Sequence, residues 1–133
     1  MICPSLDHAH KKTSINKVEL VNTIEEQTIK LIKEIIRKAY LEYDSGNLQE
    51  AYDISAEGLN FEPNNAELLL LRGFILSMLT DHCDAGIADI NKAMNSQFLN
   101  QQSRDRANWH LGRAYFYKNQ DDKAEGYFSK IKN

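Results

Sequence analysis

From Glu25 onward, apolar residues recur three and four positions apart. Ile29, Ile32, Ile35, Ile36, Ala39, Tyr40 and Tyr43 share one wide face, the period of an amphipathic helix. That helix is predicted to stop at Ser45-Gly46-Asn47, where glycine tolerates the left-handed backbone of a helix end. A second helix is predicted from about Leu48 to Leu59, closed by Glu62-Pro63-Asn64-Asn65, because Pro63 disfavours a helical Glu62. A third runs from Ala66 to about Leu79. After a turn at Thr80-Asp81-His82-Cys83, a fourth covers about Asp84 to Asn95. A polar linker, 97–102, leads to a fifth helix from Ser103 to Lys118. Asn119-Gln120-Asp121 then turns the chain into a sixth that nearly reaches Asn133. Residues 13–24 are weakly amphipathic, and 1–12 show no periodicity and are expected to fray. No strand alternation is apparent. The expected class is all-α, with six helices in three pairs. The expected division is an N-terminal extension, 1–24, frayed or helical and partly flexible, before a helical domain, 25–133.

The pairs echo one another. Ala39 and Gly73 lie 34 positions apart, each midway along the first helix of a pair, and Gly112 lies 39 beyond Gly73. The second helices carry Ala51, then Gly86 with Ile90 and Ala93, then Ala124 with Phe128. Self-similarity at a fixed period is the signature of a repeat architecture. The best unit reads Leu111-Gly112-x-x-Tyr115, then Ala124-x-x-x-Phe128. The first carries Gly46, Ala51, Leu59 and Pro63, and the second Leu71, Gly73, Leu76, Gly86, Ile90 and Ala93. On these residues the chain resembles the tetratricopeptide repeat (TPR) family over about residues 32–133, in units of about 32–65, 66–100 and 103–133. The pattern has departures. The second unit lacks a closing proline, and Trp109 stands three before Gly112 where the family's tryptophan stands four before, about 100° out of the core position. The resemblance implies a short right-handed solenoid in which small residues allow close helix approach and large ones fill the space between pairs. No capping helix is expected from the residues given, and an uncapped end would expose apolar surface.

In such repeats the first helices line a concave face. The stripes expected there are Lys33, Ile36, Tyr40 and Tyr43, then Glu67, Leu70, Phe74 and Ser77, then Arg106, Trp109, Arg113 and Phe116. Together they describe a groove with an aromatic centre and charged edges, suited to an apolar or amphipathic polypeptide segment. Family members that hold a C-terminal carboxylate use Lys and Asn at positions that here read Ile36, Tyr40 and Phe74. Arg106 alone is compatible, so capture of a tail carboxylate is not expected. Size, an extra N-terminal helix and an aromatic groove look like the three-repeat chaperones of type III secretion systems, an analogy of fold.

Composition adds limits. The 133-residue chain carries a net charge of −3 and 42% apolar residues, ordinary values for one globular domain. No basic stripe points to nucleic acid, and no apolar window is long enough to span a membrane. The start lacks the apolar core of a secretory signal, and Cys3 and Cys83 make no disulfide framework, so a cytoplasmic location is expected. Ala39 to Leu71 holds seven acids and no base, whereas Arg104 to Asn133 holds seven bases and four acids. Head-to-tail self-association, or a partner with a basic patch, would use that asymmetry.

Candidate chemistry is thin. Cys3, Asp7, His8 and His10 hold metal-donor atoms on an arm expected to be floppy. His82-Cys83 sits between two acids, the reverse of what a reactive thiol needs. His110 adjoins Trp109 near the groove edge and is expected to be a surface or ligand-contacting side chain rather than a catalyst. No catalytic set, phosphate loop, metal or cofactor site stands out, and an enzyme is not expected. The expected function is a protein–protein interaction module, an adaptor or chaperone. The alternative is a structural repeat protein whose groove is buried in a homo-oligomer.

Overall fold

The computed structural model describes residues 16–132. Six helices follow in order: α1 (Lys17–Asp44), α2 (Leu48–Phe61), α3 (Ala66–Ser77), α4 (Cys83–Met94), α5 (Gln101–Tyr117) and α6 (Asp121–Phe128), with a 3-10 turn at Thr80–His82. The fold is all-helical, and no strand occurs among the described residues.

Local chemistry sets most boundaries. Asparagine caps α1, α3 and α5: the carboxamide oxygens of Asn16, Asn65 and Asn100 accept from the N–H groups of Glu19, Leu68 and Ser103. Each satisfies an amide that the first helical turn leaves without a partner. Two helix ends share one device. Asn47 N–H bonds to Glu42 O over Gly46 at φ 86°, and Gln120 N–H bonds to Tyr115 O over Asn119 at φ 61°. In both, a left-handed residue reverses the chain and satisfies terminal carbonyls. Two boundaries differ from the sequence expectation. No break separates 17–24 from the following helix, since nothing between Lys17 and Asp44 is glycine or proline. At the other end, α6 stops at Phe128 rather than running to the C-terminus. Past it, Lys130 and Ile131 make short bonds to Tyr127 O and Phe128 O, and Lys132 N–H donates to the buried carboxylate of Asp105.

The chain divides into two compact units, residues up to Glu34 and Ile35–Asn133. In the first, residues 16–31 are all exposed, Val18, Leu20, Val21, Ile24, Ile29 and Leu31 included.

In the second unit, α3 packs on α4, α5 on α6 and α2 on α3, and side chains of α1, α3 and α5 meet around Glu67. A Cβ on Gly86 would stand 2.4 Å from Ser77 N and 2.7 Å from Gly73 O, so α3 and α4 meet backbone to backbone. One on Gly112 would meet the Phe128 ring at 2.6 Å. Arg72 clasps Asp89 across the α3–α4 contact through two bonds of 2.7 and 3.1 Å. The core is built on α3: Leu68, Leu69, Leu70, Leu71 and Phe74 are buried, with Ile90, Ala107 and Leu111 from α4 and α5. A smaller cluster joins Ala39, Ala51, Leu71 and Ile75. Arg104 staples the α4–α5 linker, its guanidinium donating to the carbonyls of Met94, Ser96 and Leu99. A cation at the carbonyl end of α4 is favourable for the helix dipole as well.

Candidate aromatic and arginine face on α5

The three predicted stripes meet different fates. On α3, Leu70 and Phe74 have no exposed surface and Ser77 is buried, its hydroxyl donating back to Phe74 O. These three are core, not groove lining. The physical reason is that neighbouring helices close over Phe74. His110 of α5 stacks on its ring at 4.0 Å and Tyr43 of α1 meets it at 6.4 Å. The Arg106 guanidinium sits 5.5 Å from the Phe74 centroid, 5.6 Å from that of Tyr40 and 6.0 Å from that of Tyr43. One cation thus lies over three rings, a favourable arrangement in a partly desolvated place.

Glu67 is also structural. One carboxylate oxygen accepts from the Tyr40 hydroxyl at 3.0 Å and the other from the Ser103 hydroxyl at 3.3 Å, tying α1, α3 and α5 through one side chain. Burial and the neighbouring Glu67 charge push the Tyr40 phenol far above its ordinary range. Burial also raises the Tyr43 phenol, against the opposing charge of Arg106. Ile36 is half-buried against the core, and Lys33 is exposed in the N-terminal unit.

The α5 stripe stays accessible. Trp109 is 49% exposed and Phe116 55%, with Arg106 and Arg113 half-buried on the same face. Tyr117, 68% exposed, extends the stripe, and the Arg113 guanidinium lies 5.0 Å from its ring. The repeat register did not single out Tyr117, yet its spacing of four from Arg113 carried the signal. A cleft of about 520 Å³ adjoins the stripe, lined in part by Met78, Leu79, Thr80, Arg113 and Tyr117.

His110 corrects the surface expectation. It is buried, edge-on to Trp109 and stacked on Phe74, and its Nδ1 has no hydrogen-bond partner among the described residues. Burial, then the charges of Arg106 and Arg113, push its pKa down to about 4. The imidazole is therefore neutral at physiological pH and acts as a flat packing surface.

Other chemistry is sparse. Among the described residues no three His, Cys, Asp or Glu side chains gather as a metal site. The set Cys3, Asp7, His8 and His10 lies outside the described residues. Cys83 is a half-buried free thiol beside Asp84, whose carboxylate pairs with Lys118 at 2.6 Å. No described helix is long and apolar enough to cross a membrane. No family model matches the chain, and neither does any curated protein or solved structure.

Proposed function

We propose that the chain is a polypeptide-binding module, a cytoplasmic adaptor or chaperone built of three TPR-like repeats, which holds a partner segment along the exposed face of α5. The observation that carries this reading is the exposure of Trp109, Phe116 and Tyr117 on one helical face, beside two half-buried arginines. Exposed aromatics clustered on one rigid element are a common anchor of interfaces. The meeting of α1, α3 and α5 around Glu67 and the close approach at Gly73, Gly86 and Gly112 support the repeat reading. The residues that would meet a partner are narrower than the sequence stripes imply: Arg106, Trp109, Arg113, Phe116 and Tyr117, with Tyr40 and Tyr43 at the margin.

The test is capture of a partner by purified protein, followed by Trp109→Ala and Phe116→Ala. Both variants are expected to keep wild-type helicity and thermal midpoint and to lose the partner. Undiminished capture by both, or unfolding of either, would refute the reading.

A second reading has its own observation. Six large apolar side chains stand exposed on α1 within residues 17–31, a surface that a second copy of the chain would cover. Homo-oligomerisation predicts a mass that rises with concentration in light scattering and falls to the monomer in Val21→Glu with Ile24→Glu. A monomeric parent at all concentrations would remove this reading.

A further inference from the structure

The α5 face carries a charge pattern that narrows its partner. Arg106 and Arg113 lie seven residues apart, two turns along one face, or about 10.5 Å of helix rise. Among the described residues neither guanidinium has a carboxylate partner; Arg106 lies over Tyr40, Tyr43 and Phe74, and Arg113 over Tyr117. The other described arginines differ. Arg72 is held by Asp89, Arg104 by three carbonyls, and Arg37 has an interaction of its own. Two adjacent cations, held by rings and not by acids, keep their hydrogen-bonding edges for an incoming anion. Trp109 stands between them in sequence and on the same face, half-exposed.

Resting on the reading of α5 as the binding face, we infer that the partner segment is an acidic amphipathic helix, with two carboxylates two turns apart and a large apolar residue between them. Lying along α5, such a helix places one carboxylate on Arg106 and the other on Arg113, since both helices rise by the same distance per residue. Its apolar residue, three or four positions after the first acid, meets the Trp109 ring. Guanidinium and carboxylate match as planar, bidentate partners, and partial desolvation beside the rings strengthens the pairing over that of open surface charges. A basic helix would place like charges together and be rejected. The recognised groups are side-chain carboxylates within a segment, so a free C-terminus is not required.

Trp109 is the chain's one tryptophan, so its fluorescence reports directly on this face. The experiment titrates the full chain with three alanine-based helical peptides sharing a central Leu pair. They carry Glu, Gln or Lys at both positions i and i+7. The Glu peptide is expected to shift Trp109 emission and to bind at least about tenfold more tightly than the Gln peptide, with the Lys peptide weaker still. Raising the salt should shrink that preference, as it does for partly exposed ion pairs. Arg113→Gln, checked by circular dichroism, should reduce the preference for Glu over Gln.

Equal binding of Glu and Gln peptides would overturn the acidic partner and leave the binding face standing. No emission change with any peptide would overturn both. The peptide series leaves the protein untouched, so the comparison holds even if the arginine variant fails to fold.

Discussion

Substituting alanine at Gly86 tests the close helix contact that organises residues 35–132. The added Cβ would stand 2.4 Å from Ser77 N, 2.7 Å from Gly73 O and 2.8 Å from Ser77 Cα. All three are backbone atoms, so no rotamer change relieves the contact. Ordinary separations begin near 3.4 Å, so α3 and α4 must part by about 1 Å, loosening the dense packing between them. The same movement stretches the Arg72–Asp89 pair and lifts Ile90 from Gly73. Overpacking of this kind costs about 1–3 kcal/mol and occasionally more. Alanine's helix propensity returns up to about 1 kcal/mol. All three clashes are with backbone, so the upper end of that cost applies and a net loss of about 2 kcal/mol is expected, which lowers the thermal midpoint by roughly 6–10 °C.

The assay is urea and thermal unfolding followed by circular dichroism, with two companions. Gly126→Ala has nothing within 4 Å of the new methyl and should gain about 0.5–1 kcal/mol. The atoms nearest a methyl on Gly112 belong to the Phe128 ring, and Phe128 is 38% exposed and can swing outward, so the effect of Gly112→Ala should fall between the other two. A Gly86→Ala protein as stable as the parent would refute the backbone contact and the packing derived from it.

Three further outcomes follow from named side chains. His110 has its pKa lowered from 6.5 to about 4, so the unfolded chain takes up a proton that the fold refuses as the pH falls through that window. Stability from this residue is therefore lost on acidification between pH 6.5 and 4 and is flat above it. His110→Phe, which keeps a ring against Phe74, should remove on the order of 2 kcal/mol of the loss between about pH 7.5 and 5, read as the difference between parent and variant unfolding curves. Glu67→Ala deletes the acceptor shared by Tyr40 and Ser103 and should cost about 1–3 kcal/mol; unchanged urea midpoints would show that this bridge contributes nothing. Arg104→Ala frees the carbonyls of Met94, Ser96 and Leu99 and should cost about 1–3 kcal/mol, with faster hydrogen exchange along 95–103 than elsewhere.

Sequence alone determined the helical class, most element boundaries and the close approaches. Those properties are local: asparagine caps, a glycine or asparagine able to take φ > 0, and small residues at helix contacts act through their immediate neighbours. Glycine at 73, 86 and 112 sits where a Cβ would meet a neighbouring helix, whereas the helical Gly126 meets nothing within 4 Å. The accessible face of α5 was also legible, as Arg106, Trp109, Arg113 and Phe116 follow one helical stripe. Tertiary structure decided which of the other stripe residues face outward. Phe74 has the same periodicity as Trp109, yet it is covered by Tyr43 and His110, one 31 positions before it and the other 36 after. The same long-range packing turned His110 into a buried neutral ring, made Glu67 a tie between three helices and left two guanidiniums resting on aromatic faces. Helical period tells which residues share a face; only the neighbouring helices decide how much of that face is covered.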